Sequence, residues 1–328
     1  MYQMMSLPLY SGTLGEYNSW RDLGQELERL GCDGIEGVWG GEDLPKDLPA
    51  ELILGYHLIF YPDWLDFYRD DRAALKQKFG SLEVTASFYG GLGPDTLLEQ
   101  YRADLRRAVN LGTRYVVFHV SDVSLEEGYT YRWLHTNQEV IDAAVEVVNL
   151  ILGEERWPFE FLVENQWWPG FTFTEPEETA RLLEGIRFAG KGILLDTGHL
   201  MNACTELKTE AEGADYIRRM LNRHGSLAKW VRGVHLHQSL SGAYVKAHTG
   251  SLPAGLPEDY MERFGVSYQH ILQIDQHRPW TDPAILSVLE QIEPRYLTHE
   301  LSSRGRMARA EAVSVQTRLL QQGGRMRV

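Results

Sequence analysis

The stretch KGILLDTGHLMN, residues Lys191–Asn202, decides the fold. Ile193–Leu195 form an apolar run of the length typical of a buried strand. The run ends at Asp196, and His199 follows after a glycine that permits a tight turn. A carboxylate and an imidazole directly after a buried strand indicate a polar site where that strand ends.

Short apolar runs of this kind alternate with amphipathic helical patterns along the chain. Residues 94–112, PDTLLEQYRADLRRAVNLG, show the helical pattern clearly, with Pro94 suited to the first turn and Gly112 to the end. Strict alternation predicts a parallel sheet, and eight units predict a closed (β/α)8 barrel, the TIM barrel. A doubly wound open sheet is the alternative, but residues 10–20, YSGTLGEYNSW, lack its glycine-rich phosphate loop. The predicted strands lie near residues 5–10, 33–39, 52–60, 114–121, 159–165, 192–196, 231–237 and 295–301.

Two segments do not follow the alternation. Residues 61–93 are aromatic and without clear periodicity, which predicts a loop-like insertion after strand three. Residues 238–270 form a second insertion, after strand seven. Because no linker or repeat divides the chain, residues 1–328 are predicted to form one domain.

The composition indicates which partners and which cellular compartment to expect. The 32 basic and 46 acidic residues give a net charge of −14, and an acidic surface repels phosphate backbones, so nucleic acid is disfavoured as a partner. Cys32 and Cys204 are the two cysteines, with no CxxC pair, which is typical of a reducing compartment. The N-terminal residues lack the pattern of a signal peptide, and no apolar run reaches membrane-spanning length. We therefore expect a cytoplasmic protein, and a homo-oligomer is compatible with the sequence.

Titratable side chains stand at the predicted end of most strands. In a closed barrel these ends meet at one mouth, where the functional sites of such barrels lie. Carboxylates crowded into a small mouth repel each other unless a cation neutralises them, and mixed carboxylate and imidazole ligands suit Zn²⁺, Mn²⁺ or Co²⁺. The sequence therefore predicts a divalent metal site. The side chains in question are Glu36, His57, His119, Asp122, Glu164, Asp196, His199, His235, His237, His299 and Glu300.

Four short motifs at these positions resemble the xylose-isomerase-like TIM barrel superfamily. They are LVEN at 162–165, LDTGH at 195–199, VHLHQ at 234–238, where Gln238 stands in place of the usual aspartate, and THEL at 298–301. The superfamily includes sugar isomerases and epimerases and the type-two apurinic (AP) endonucleases. The resemblance runs from GIE at 34–36 to HEL at 299–301 and implies a TIM barrel with a shared metal site.

The resemblance also implies which residues bind metal. By position, the shared ion would be held by Glu164, Asp196, His235 and Glu300. Further positions match the ligands that the endonuclease branch uses for three zinc ions, and they complete a set of nine: His57, His119, His199, Asp275 and His277.

The leading interpretation is a sugar isomerase or epimerase that depends on a divalent metal. Moving a hydrogen next to a carbonyl needs a base and an acid, for which the resemblance implies Glu164 and Glu300, while a divalent ion holds the developing enediolate charge. The substrate would be a small sugar or polyol contacted by His199, His237, Trp167 and Trp168. The two tryptophans would stack on the sugar, or else they plug the top of the barrel.

Two alternatives remain open. A metal-cluster phosphoester hydrolase of the AP endonuclease type is favoured by the nine matching ligands, and disfavoured by the net charge and by the acidic, aromatic residues 61–72, YPDWLDFYRDDR. The arginines of residues 302–310 and 323–328 are predicted to belong to a solvated helix face and end. A non-catalytic barrel that keeps its metal and only binds a ligand is the third possibility.

Several other polar residues are expected to be structural. Glu36 is expected to form hydrogen bonds inside the barrel, and His299 is expected to face the helices because it precedes Glu300 on the strand. Four histidines without apparent converging partners are interpreted as surface or structural residues: His135, His224, His248 and His270.

Overall fold

The computed structural model describes residues 1–323 and contains a closed barrel of parallel strands in sequence order, with the last strand paired to the first. The TIM barrel prediction is therefore confirmed, and each strand lies within two or three residues of its predicted start. The strands are β1 Tyr2–Leu9, β2 Gly34–Trp39, β3 Ile53–His57, β4 Tyr115–His119, β5 Glu160–Glu164, β6 Lys191–Asp196, β7 Val231–His235 and β8 Tyr296–His299.

The strands are apolar on both faces because both faces are buried. One face points into the barrel, where a compact cluster fills the interior. The other face packs against the surrounding helices in a much larger core. The interior cluster consists of Met4, Tyr115, Val117, Leu162, Leu194 and Tyr296.

Helices connect successive strands and cover the barrel. Their bounds are α1 Ser11–Leu14, α2 Trp20–Leu30, α3 Leu65–Tyr68, α4 Arg72–Phe79, α5 Leu82–Tyr89, α6 Pro94–Asn110, α7 Leu125–Thr130, α8 Asn137–Leu152, α9 Pro176–Gly185, α10 Thr197–Asn202, α11 Glu210–His224, α12 Gly242–His248, α13 Tyr260–Ile274, α14 Ile285–Ile292 and α15 Arg306–Gln322, with short 3-10 helices at Ala50–Leu52 and Gly225–Trp230. None of the helices in residues 1–323 combines the length and the apolar composition that crossing a membrane requires. The C-terminal Arg325 and Arg327 lie outside the described residues.

The prediction that residues 61–93 are loop-like is wrong, because this insertion folds into α3, α4 and α5. Each helix has four to eight residues, too few for a periodic pattern to stand out in the sequence. Side-chain caps start two of them, since Asp71 accepts hydrogen bonds from the backbone of Ala73 and Ala74, and Ser81 accepts one from Val84. The insertion after β7 contains α12 and most of α13.

A buried ionic network attaches the first insertion to the barrel. Lys78 Nζ lies 2.7 Å from Asp63 Oδ1 and 2.8 Å from Asp66 Oδ2. His135 extends the network, since its Nε2 lies 3.2 Å from Asp66 Oδ1 and its Nδ1 lies 2.9 Å from Asp122 Oδ2. Hydrogen bonds to Asp122 and Asp66 raise the pKa of His135 to about 10. His135 is structural as expected, but the expectation that it lacks converging partners is wrong.

Candidate metal centre

The carboxyl ends of five strands each place a titratable side chain at the barrel mouth. β3 ends at His57, β4 at His119, β5 at Glu164, β6 at Asp196 and β7 at His235. The parallel register sets His119 beside Glu164 and Asp196 beside His235. Barrel closure therefore brings together residues that are far apart in sequence.

The first ligand group is formed by His57, His119 and Glu164. The Nε2 atoms of the two histidines lie 3.0 Å apart. Oε2 of Glu164 lies 3.1 Å from Nε2 of His119 and 3.4 Å from Nε2 of His57. Two imidazole nitrogens and one carboxylate oxygen thus converge on one small volume.

The second ligand group consists of Glu164, Asp196, His235 and Glu300, the four residues implied for the shared ion. His235 Nδ1 lies 2.7 Å from Glu300 Oε2, 3.5 Å from Glu164 Oε1 and 3.7 Å from Asp196 Oδ2. Glu164 belongs to both groups through its two different oxygens. The two groups are therefore adjacent.

The third ligand group joins His199, Asp275 and His277 with His237. Asp275 Oδ2 lies 3.2 Å from Nε2 of His199 and 2.6 Å from Nε2 of His277. His237 was expected to contact substrate, and the structure places it in this group. Its ring stacks on His277 at a centroid distance of 4.0 Å, and its Nε2–H donates to Asp196 Oδ2 over 2.8 Å.

The donor set of these groups fits divalent ions. Within each group the ligand atoms all lie within 4.8 Å of one another. Buried polar atoms are normally hydrogen-bonded, and orphaned carboxylate oxygens in a protein interior are costly. Nitrogen and carboxylate oxygen together suit Zn²⁺ or Mn²⁺. Several of the atoms concerned are buried and make no hydrogen bond of normal geometry within residues 1–323, although His235 Nδ1 and Glu300 Oε2 lie close together: both Glu164 carboxylate oxygens, His235 Nδ1, His237 Nδ1, Asp275 Oδ1 and Glu300 Oε2.

Hydrogen bonds orient four of the imidazoles so that one ring nitrogen of each faces its group. His235 donates from Nε2 to Glu36 Oε1 over 2.8 Å, which leaves Nδ1 free for the second group. His57 likewise donates from Nδ1 to the carbonyl of Leu58, 2.8 Å away. His199 and His277 donate from Nδ1 to the carbonyls of Asn165 and Glu300, over 3.0 and 3.1 Å. Such partners are typical of metal-binding histidines because they fix the tautomer and the ring orientation.

Charges inside the site hold its carboxylates ionised. Burial acts to raise the pKa of Glu164, but His119 and His235 outweigh it and hold that pKa well below its ordinary value. Burial also acts to raise the pKa of Glu300, but His235 and His277 outweigh it and lower that pKa to about 2. The carboxylates are thus anionic at neutral pH, in the state that binds cations.

Gly198 was expected to permit a tight turn, but the structure gives it another role. It lies in α10, which begins directly after Asp196. A Cβ at this position would lie 2.0 Å from Cε1 and 2.3 Å from Nδ1 of His237. The glycine therefore makes room for the imidazole, a constraint that arises from a residue 39 positions further along the chain.

The structure also locates the residues interpreted as structural. Glu36 accepts hydrogen bonds from Tyr115 Oη and Thr298 Oγ1 over 2.5 and 2.9 Å, as expected for a residue inside the barrel. His299 faces the helices as expected, with Nδ1 2.9 Å from Nε2 of Gln316 on α15. No sequence pattern indicated Gln166, whose Nε2 lies 3.0 Å from His199 Nδ1.

A cavity of about 750 Å³ opens above the ligand groups. Trp167 and Trp168 line it and are also buried against the apolar side chains of Val123, Val245 and Ile274. The two indole rings lie 4.2 Å apart, and the Trp167 ring lies 5.0 Å from that of His199. The tryptophans therefore combine both expected placements, because they pack into the top of the barrel and border the cavity.

The fold and these clustered side chains define a (β/α)8 barrel with its polar groups at the carboxyl ends of the strands. The chain belongs to the xylose isomerase-like TIM barrel family, whose model matches residues 25–313. No curated protein matches the chain in sequence.

Solved structures share the fold at low identity. A D-tagatose 3-epimerase-like protein is 15% identical with a TM-score of 0.53, over 99% of this chain and 98% of that one. Endonuclease IV from Thermus thermophilus is 16% identical with a TM-score of 0.53, over 98% of this chain and 100% of that one. An L-ribulose 3-epimerase is 13% identical with a TM-score of 0.54, over 98% and 94%. At such identities the likeness extends to the fold alone.

Proposed function

We propose that the protein is a phosphoester hydrolase that holds a cluster of divalent ions in the three ligand groups. The observation that carries the proposal is that all nine implied ligands, with His237 in addition, form three ligand groups, two of which share Glu164. A single-ion isomerase needs only the second group. It would not need His57, His119, Asp275 and His277 as metal ligands.

Different residues at the mouth would have different roles in hydrolysis. Bound divalent ions would activate water and neutralise the charge of a phosphate group. Glu164 links the first and second groups, so it fixes their spacing. Glu300 is the most accessible of the carboxylates in the second group, with a side chain 20% exposed, and it borders the cavity where a substrate would enter. Trp167 and Trp168 limit the access of bulk water on one side.

A sugar isomerase or epimerase is the second candidate, and one observation favours it. Glu164 and Glu300 both approach His235 Nδ1 within the same four-residue group. A small sugar bound to one ion there would have a carboxylate available as base and another as acid. The cavity volume suits a small substrate.

Counting the bound metal separates the two candidates. Elemental analysis of the metal-loaded protein is expected to give three ions per chain, with hydrolysis of phosphoesters. His277→Ala is expected to lose about one ion and to lower hydrolysis about 10- to 100-fold or more, since it removes a ligand of the third group only. His248→Ala, at an exposed histidine outside the ligand groups and the cavity lining, is the matched control and should retain both properties.

One ion per chain together with turnover of a ketose would instead establish the isomerase. Cleavage of a duplex that contains an abasic site tests the nucleic-acid substrate directly, and the net charge of −14 leads us to expect none. Cys32 and Cys204 are both free thiols, which supports a reducing, cytoplasmic location as part of the proposal.

A further inference from the structure

An exposed aromatic ring borders the first ligand group. Phe60 follows β3, and its ring lies 4.5 Å from that of His119 and 5.7 Å from that of His57. Phe60 lines the cavity, yet 47% of its surface is exposed. The Phe60 ring is therefore accessible to solvent and lies beside the two histidines of the first group.

Unpaired hydrogen-bonding groups border the same cavity from other elements. Within residues 1–323, Trp168 Nε1 is buried without a hydrogen-bond partner, although a buried indole N–H usually has one. Ser267 of α13 also lines the cavity, and its Oγ is likewise buried without a partner among these residues. Two polar groups of lining residues are thus unsatisfied within the described part of the chain.

The lining of this cavity contains both charged and apolar side chains. The charged side chains include members of the ligand groups, and apolar ones come from the segments after β3, β4 and β7. The cavity volume of about 750 Å³ is that of a pocket for a small molecule. The apolar lining includes Val123, Leu125, Phe264, Ile271 and Leu272.

We propose, resting on the hydrolase function above, that the substrate is a small phosphoester whose ester group carries a flat aromatic ring. The phosphate would occupy the ligand groups, and the ring would stack on Phe60. Hydrolysis adds water across the P–O bond. The phosphate keeps the oxygen of the water, and the ring leaves as its alcohol or phenol with a proton of that water.

Two phosphonates that cannot be hydrolysed test this proposal by titration calorimetry on the Zn²⁺- or Mn²⁺-loaded protein. Phenylphosphonate is expected to bind about tenfold more tightly than methylphosphonate, since aromatic stacking is worth that much. Phe60→Ala should bring the two affinities within about twofold of each other and leave that of methylphosphonate unchanged. The matched control is Trp133→Ala, which removes an aromatic residue that is 40% exposed and lies outside the cavity lining.

Each outcome decides the matter. Equal affinities in the unchanged protein, or a preference for phenylphosphonate that survives Phe60→Ala, would overturn the ring site. Because binding is measured without turnover, a failure of the hydrolase proposal is distinguishable: phenylphosphonate would be preferred, but p-nitrophenyl phosphate and bis(p-nitrophenyl) phosphate would not be hydrolysed. If abasic duplex DNA competes for the cavity more tightly than phenylphosphonate does, the proposal of a small substrate is wrong.

Discussion

At the scale of single residues, the space at Gly198 controls the third ligand group. His237 is fully buried, stacks on His277 and donates to Asp196, so its ring has little freedom to move away from a new Cβ. Gly198→Ala is therefore expected to lose about one bound ion and to lower the free energy of unfolding by about 1–3 kcal/mol. Elemental analysis and urea unfolding measure the two effects.

Gly24→Ala is the matched control for this substitution. Gly24 lies inside α2, and no other atom of residues 1–323 comes within 4 Å of a Cβ built there. Alanine at this position should raise the free energy of unfolding by about 0.5–1 kcal/mol and leave the metal content unchanged. A Gly198→Ala protein with full metal content and unchanged stability would contradict the close contact.

The same region shows what a sequence pattern can and cannot predict. Asp196 and His199 are recognisable as site residues because a carboxylate after an apolar run is visible within a few letters of sequence. The ligand groups follow from barrel closure, which brings strand ends together whatever their separation along the chain. The need for glycine at 198 and the place of His237 in the third group depend on side-chain packing, which no local pattern contains.

At the scale of elements, the first insertion depends on contacts that are distant in sequence. α3 to α5 are too short to be stable alone. Lys78 of α4 pairs with Asp63 and Asp66, and His135 connects Asp66 to Asp122 after β4. His135 completes the network from a segment 69 residues after Asp66. The periodicity of the sequence predicts the long helices. It does not predict these short ones, because tertiary contacts stabilise them.

This network makes the stability of the protein depend on pH. The pKa of His135 is raised to about 10 in the folded protein, above its value of about 6.5 in an unfolded chain. Protonated His135 therefore favours folding. The contribution of His135 to the free energy of unfolding is complete below about pH 6.5 and is lost as the pH rises towards 10.

His135→Gln is accordingly expected to be less stable than the unchanged protein by about 1–3 kcal/mol near pH 6, and by much less near pH 10. Urea unfolding followed by tryptophan fluorescence across this range measures the difference. His248→Gln, at an exposed histidine, should follow the unchanged protein at every pH. A difference for His135→Gln that stays constant from pH 6 to 10 would show that its charge does not stabilise the fold.

At the scale of the whole molecule, the barrel and its mouth have different sources of stability. The closed sheet and its interior cluster are apolar and independent of any ion. The mouth instead concentrates buried carboxylates whose repulsion a cation would relieve. Removal of ions should therefore leave the secondary structure intact and lower the melting temperature, because ions that bind only the folded state stabilise it by mass action.

We expect Zn²⁺ or Mn²⁺, added to chelator-treated protein at about 100 times its dissociation constant, to raise the melting temperature by roughly 5 °C or more. Glu164→Gln should lose most of this increase, because Glu164 serves two groups. Glu178→Gln changes a carboxylate on α9 that accepts hydrogen bonds from Asn137 and belongs neither to the ligand groups nor to the cavity lining, and it should keep the full response. Circular dichroism follows both the melting and the helix content. If neither metal shifts the melting temperature of the unchanged protein, the imidazoles alone compensate the carboxylates and the cluster is not a metal centre.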